Sequence, residues 1–164
     1  MKYAVLLAAA LVLPHLGSAQ TTKGKAAPVP APNACELLNT VDVERVTGEK
    51  SEFAPVPAEV GAACLWEKVK LHISVDTVDQ RIAAATKEFG LQGAKPVPVA
   101  GVGEKALAFA PQPKDKNEDK LVYVLVKQGR YLVNVSVLIS KGKTAETLQP
   151  QAVEIVKIVL GQLK

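Results

Sequence analysis

The alternation of apolar and polar positions predicts β-strands through the middle and second half of the chain. Between residues 69 and 76 every second residue is apolar, and the polar positions between them are Lys70, His72, Ser74 and Asp76. Strict alternation of this length is typical of a strand with one buried face. The alternation is disturbed between Trp66 and Val69, where we expect a bulge or a tight hairpin.

Two further apolar runs predict an antiparallel hairpin. The run "KLVYVLV", residues 120–126, is apolar on both faces, as expected of a strand in the interior of a sheet. The run "YLVNVSVLIS", residues 131–140, alternates again, and Gly129 and Arg130 form the turn between the two runs. A shorter strand is predicted through Ala106 and Phe109, after the glycines of "GVG".

Helical spacing of apolar residues predicts three helices. The first covers "CELLNTVDVERVTG", with a break near Asn39, Thr40 as an internal cap and Gly48 at its end. The second covers residues 78–90. Its apolar side comprises Ile82, Ala83, Ala85 and Phe89. The third has Pro150 in its first turn and lies on the sheet. Its apolar stripe comprises Ala152, Val153, Val156, Val159, Leu160 and Leu163.

The order of these elements indicates the fold class. Strands and helices do not alternate regularly, so nothing in the pattern favours a wound parallel sheet. We therefore predict an α+β fold, a mostly antiparallel sheet packed by helices. The domain is expected to cover residues 34–164 as a single unit.

The first 33 residues predict export. Residues 1–19 combine a leading lysine, an apolar run and the small residues before Gln20, which is the pattern of a signal peptide. The apolar run, about 10 residues, is shorter than the roughly 20 needed to span a bilayer. Residues 20–33 form a Pro/Ala-rich linker, and the first cysteine lies beyond it, away from the position that lipidation requires. We expect a soluble periplasmic or secreted protein without a permanent membrane anchor.

The two cysteines, Cys35 and Cys64, predict one disulfide bond. Two cysteines in an exported chain, with no third one, are the number that a single disulfide bond requires. A metal site would need more ligands at close spacing, and a catalytic thiol would have only His72 as a partner. The simplest role of Trp66 is packing against the bridge.

Several of these motifs, taken in order, resemble a known family. The helix "CELLNTVDVERVTG", the C-x-W motif at Cys64 and Trp66, the "GVGEKA" turn, the hairpin and the final helix are similar to a domain-of-unknown-function family of small bacterial exported proteins and lipoproteins. The resemblance implies bridged cysteines, an α+β sandwich similar to the PsbP-like fold, and binding of partners without catalytic residues. This chain departs from the family in lacking the lipidation cysteine.

The candidate site is a polar patch on the sheet. His72, Ser74 and Asp76 share one face of a strand, but neighbours on that face lie about 7 Å apart with parallel side chains, so they do not form a catalytic triad. If the strand neighbours the hairpin, His72 and Ser74 join Asn134 and Ser136 in one patch. Such a patch could receive a ligand or a partner, or could be wet or covered by a helix.

Composition narrows the possible partners. The formal net charge is +4, and the basic residues form no cluster with aromatic residues, which argues against nucleic-acid binding. "GVG" is a turn that precedes a strand, so it cannot cradle phosphate at a helix N-terminus. We expect no metal and no cofactor. The leading hypothesis is a monomeric, non-catalytic binding or accessory domain of the bacterial envelope that recognises an envelope protein or a small ligand. The alternatives are a small-molecule or lipid carrier with an internal apolar cavity and, third, a hydrolase centred on His72.

Overall fold

A computed structural model describes residues 30–58, 61–111, 120–140 and 142–163. The predicted signal peptide and all but the end of the predicted linker lie outside the described residues. The described part of the chain is built around one sheet with four helices.

Seven strands form a single antiparallel sheet. They are β1 Phe53–Val56, β2 Ala62–Trp66, β3 Val69–Val75, β4 Val97–Pro98, β5 Lys105–Phe109, β6 Leu121–Gln128 and β7 Tyr131–Leu138. Their order in the sheet is β1-β2-β3-β7-β6-β5-β4, and every neighbouring pair is antiparallel. The predicted hairpin of residues 120–140 is therefore confirmed at the centre of the sheet, and the disturbed alternation after Trp66 is the tight turn between β2 and β3. The α+β class is confirmed.

Four helices pack on this sheet. They are α1 Ala34–Leu37, α2 Thr40–Thr47, α3 Val78–Leu91 and α4 Ala145–Gln162. Helix α4 lies against β6 and β7, and α1 and α2 pack beside it. The predicted break in the first helix falls where expected, but Asn39, and not Thr40, caps α2 by accepting a hydrogen bond from the Asp42 N–H (2.8 Å). Asn39 stands at the N-cap position just outside the helix, where a side-chain oxygen can accept from the free N–H groups of the first turn, whereas Thr40 already lies inside the helix.

The main core lies between the sheet and α4. Alternate residues of β3, β6 and β7 point toward α4 and are buried, among them Leu71, Val124 and Val135. They meet the buried side of α4, where Ile155 and Val156 are fully enclosed. Burial of branched apolar side chains from two layers is the principal source of stability for such a fold.

A second, smaller core lies on the opposite face of the sheet. Val78 and Ile82 of α3 pack with Phe109, Leu125 and Leu132 of the sheet. Ala83 was predicted on the apolar side of this helix but is exposed, because a helical turn of 100° per residue carries it past the narrow stripe that Ile82 buries. A short helix with so few buried residues covers only part of this face.

The predicted disulfide is present in the structure. Cys35 of α1 and Cys64 of β2 are bonded, with their Cα atoms 5.2 Å apart and 29 positions apart in the chain. Cys64 and Trp66 are both buried in the main core, and the ring of Trp66 lies 6.5 Å from that of Phe53. The bond holds α1 to β2, the second strand of the sheet.

The pattern of alternation missed the two outermost strands. Strands β1 and β4 form the two edges of the sheet, and each contains a proline, Pro55 or Pro98. Proline lacks the N–H that a central strand needs, so the sequence favours a loop at such positions, whereas an edge strand tolerates it.

The start of the last helix was also predicted too late. Helix α4 begins at Ala145 and carries Pro150 as its sixth residue. Thr144 and Thr147 form a reciprocal capping box at the N-terminus. Leu148, two residues before Pro150, is also buried. The cap and this burial outweigh the hydrogen bond that Pro150 cannot donate.

Candidate binding groove

The pairing of β3 with β7 brings most of the predicted patch together. His72 lies directly opposite Asn134, and Lys70 lies directly opposite Ser136. Residues paired in this way in antiparallel strands hold their Cβ atoms about 5 Å apart. Three of the four predicted patch residues, His72, Asn134 and Ser136, are therefore immediate neighbours on the sheet face that carries α3.

These residues form the floor of a surface groove of about 480 Å³. The groove lies on the part of the face that α3 leaves uncovered, and the chain segment after β1 contributes a second boundary. The lining residues are Pro57, Ala58, Ala63, Lys70, His72, Arg81, Leu121, Tyr123, Asn134 and Ser136. Eight of them come from β2, β3, β6, β7 and α3, and Pro57 and Ala58 come from the segment after β1.

Ser74 belongs to the predicted patch but does not reach the groove. It pairs with Leu132, a residue of the smaller core, and its side chain is fully buried. His72 and Ser74 are successive residues on the same face of β3, but His72 lines the groove and Ser74 lies in the packed interior beneath α3. The Ser74 hydroxyl has no hydrogen-bond partner among the described residues.

The geometry also separates Asp76 from His72 and Ser74. Asp76 is exposed beyond the end of β3, and both of its carboxylate oxygens accept hydrogen bonds from Nη2 of Arg130, at 3.1 and 3.0 Å. With Ser74 buried and Asp76 bound to Arg130, the three side chains do not assemble as nucleophile, base and acid.

The charged side chains among the described lining residues are all basic. Lys70 extends from β3 and Arg81 from the first turns of α3, and no aspartate or glutamate is present among the described lining residues. Within the described chain, the ion pairs use Arg45, Lys68, Lys127, Arg130 and Lys143, and leave Lys70 and Arg81 without a carboxylate partner. The described lining residues therefore contribute a positive potential to the groove.

Tyr123 supplies a neutral hydroxyl at the side of the groove. Burial, and secondly the negative charge of Glu88, raise the pKa of Tyr123 above its ordinary value. Its ring packs on Phe89 of α3 with centroids 4.6 Å apart, which fixes its position. The hydroxyl therefore stays protonated through neutral and mildly alkaline pH and can donate a hydrogen bond.

The start of α3 is held by a strained turn and two ion pairs. Asp76 and Thr77 both adopt left-handed backbone conformations, with φ of 60° and 52°. Arg130 binds Asp76, and Lys127 donates to Asp79 at 2.8 Å. Nε of Arg81 makes a long contact of 3.4 Å with Oγ1 of Thr77. These contacts set where Arg81 stands relative to the sheet.

The sequence interpretation missed three groove residues that carry its chemistry. Lys70 could have been included, because alternation alone places it on the side of His72. Tyr123 was hidden by a strand that is apolar on both faces. Arg81 could not be placed from the sequence, because its position depends on how α3 crosses the sheet.

A metal site and a membrane-spanning helix are two alternatives to a binding groove. Within the described residues, no three His, Cys, Asp or Glu side chains come close enough to hold a metal ion. Among the helices of the described part, none is long and apolar enough to cross a membrane.

Comparison with protein-family models, curated proteins and solved structures found no match.

Proposed function

We propose that this protein is an exported, non-catalytic binding module of the bacterial envelope and that its binding site is the groove. The observation that carries the proposal is the convergence of His72, Asn134, Ser136 and Lys70 on the uncovered part of one sheet face. These four residues form a polar face on two central strands whose opposite face is wholly apolar.

The size and position of the groove support a small ligand. Its volume of about 480 Å³ falls within the range of small-molecule sites, roughly 300 to 1,000 Å³. The floor is formed by hydrogen-bonded strands at the centre of the sheet, so the polar groups are held on a rigid support. A site of this kind can bind without a large rearrangement of the backbone.

The same geometry gives no support to a hydrolase centred on His72. The nearest serine on its own strand, Ser74, is fully buried and does not line the groove. A nucleophile must reach the reacting atom of a substrate. We therefore assign His72 to ligand binding.

Export is part of the proposal and rests on the signal-peptide pattern together with the bridge between Cys35 and Cys64. Structural disulfides persist in oxidising compartments. The expected location is the periplasm or the medium, and the resemblance to exported proteins of the PsbP-like fold is in keeping with a binding role.

The proposal is tested by protein-observed NMR. The purified ¹⁵N-labelled protein is titrated with a mixed library of anionic, neutral and cationic small molecules. We expect a subset to shift amide signals of β3 and β7 around His72 and Asn134. Lys70→Glu should change these shifts, whereas Lys157→Glu, an exposed charge reversal on α4, should preserve them. Ligand shifts confined to other surfaces, or shifts that Lys70→Glu leaves wholly unchanged, would overturn the proposal.

A further inference from the structure

We infer that the groove selects a small organic anion, namely a carboxylate or phosphate ester attached to an apolar group. This inference rests on the proposed function and specifies the chemistry of the ligand. It combines three observations on the groove: two basic side chains that have no ion pair within the described residues, neutral hydrogen-bond donors, and apolar walls.

The positive charges come from two independent elements. Lys70 is fixed by the register of β3 with β7, and Arg81 by the attachment of α3. Neither takes part in an ion pair within the described residues. Two cations that face one partly enclosed space repel each other, and an anion between them removes that repulsion. The planar guanidinium of Arg81 also matches the two oxygens of a carboxylate or phosphate.

Neutral donors add hydrogen-bonding capacity beside these charges. The hydroxyl of Tyr123 remains protonated, and the hydroxyl of Ser136 lies opposite Lys70 on the floor. Hydroxyl donors satisfy oxyanion lone pairs without adding charge. A ligand oxygen held by Lys70 can therefore accept a second hydrogen bond from the same strand pair.

The remaining lining is apolar and indicates that the ligand is more than an inorganic ion. Pro57, Ala58, Ala63 and Leu121 border the polar floor. A volume of about 480 Å³ exceeds what one phosphate group fills, so the apolar border has room for a ring or a short alkyl group. The groove thus has one charged part and one apolar part.

A second groove on the same molecule differs from the first in the charges of its described lining residues. It lies between α3 and β4 and has about 540 Å³, with Lys87 and Lys105 among its lining residues. There, however, Asp79 also lines the space and forms an ion pair with Lys127. The described lining of this second groove therefore combines both signs of charge, whereas the described lining of the first groove is only positive.

The inference is tested by calorimetry with matched probes. Phenyl phosphate and benzoate supply an anion on a ring, benzamide is the neutral counterpart of benzoate, and benzylamine is the cationic one. We expect the two anions to bind and benzamide and benzylamine to bind at least about tenfold more weakly. Raising the salt concentration from about 0.05 to 0.5 M should weaken the anions and leave benzamide unaffected.

Variants connect the selectivity to the two cations. Lys70→Gln and Arg81→Gln should each weaken phenyl phosphate about tenfold, and the double variant should bind it no better than benzamide. Lys157→Gln on α4 removes an equal charge far from the groove and should bind like the parent protein. Equal changes in all three variants would reduce the effect to net charge and contradict the inference.

An experiment with lipid vesicles tests whether the anion is a lipid headgroup. Vesicles of phosphatidylglycerol and of phosphatidylcholine are sedimented with the protein and with the double variant. Binding to the anionic vesicles that the double variant loses would assign the same anion site to a lipid headgroup. If benzamide binds as tightly as benzoate, with NMR shifts still at His72 and Asn134, the anion inference fails and the proposed function stands. If every ligand shift lies outside the groove, both fail.

Discussion

The two faces of the central sheet are made by the same strands but have different roles. On the face toward α4, Leu71, Val124 and Val135 contribute to a core that an 18-residue helix covers. On the other face, the intervening positions of the same strands include His72 and Asn134, and the shorter α3 covers only part of them. The period of two in a strand therefore places the main core and the proposed binding site on opposite faces of the same strands.

The largest test of this comparison removes the disulfide on the α4 side. Replacing both cysteines, in Cys35→Ser with Cys64→Ser, should lower the free energy of unfolding by roughly 3 to 4 kcal/mol, since the bond closes a loop of about 30 residues in the unfolded chain. Urea unfolding of parent and double variant gives the difference. A loss below about 1 kcal/mol would show that the bridge is not a principal staple.

The second test compares one apolar truncation on each face. Ile155→Ala empties a fully buried position on α4 and should cost about 3 kcal/mol. Leu65→Ala removes a side chain that is 37% exposed on the opposite face of β2 and should cost less than about 1 kcal/mol. Urea unfolding measures both. Similar costs would mean that the second face is as tightly packed as the first.

The sequence predicted the face toward α4 better than the other one. Alternation in β3 and β7 identifies their buried sides directly, and paired cysteines in an exported chain identify the bridge. The polar face of the sheet was predicted only in part. The alternation places His72 and Ser74 on the same face, but it does not show how much of that face a helix covers. That boundary buries Ser74 and leaves His72 in the groove, and it is set by the tertiary position of α3. The edge strands β1 and β4 were missed for a local reason, because the proline in each of them favours a loop when the sequence is considered alone.

The third test uses the pH dependence of stability. The folded protein raises the pKa of Tyr123, so the unfolded chain loses this proton first as pH rises past about 10. The contribution of Tyr123 is fully present below pH 10 and is lost as pH rises through the raised pKa of the folded state. In Tyr123→Phe the fall in stability above pH 10 should be shallower, by at most about 1.4 kcal/mol per pH unit. Urea unfolding at pH 8, 10 and 11 measures it, and identical slopes would contradict burial of this hydroxyl beside the groove.

The smallest test concerns the turn that begins α3. Thr77 is β-branched and adopts a left-handed conformation, which glycine accepts without steric cost. Thr77→Gly should raise the free energy of unfolding by about 0.5 kcal/mol after the entropic cost of glycine. Thr86→Gly, in the middle of the same helix, should lower it by about 0.5 to 1 kcal/mol. Thermal unfolding of both variants measures these changes in stability. A destabilised Thr77→Gly variant would mean that the turn is not strained.

The central claim is that the uncovered part of the α3 face is the binding site, and a crystal structure of the protein grown with phenyl phosphate tests it most directly. The account predicts phosphate oxygens in contact with Lys70 and Arg81 and the ring against Leu121. A structure in which phenyl phosphate occupies another surface, or in which α3 closes over His72 and fills the groove, would contradict it.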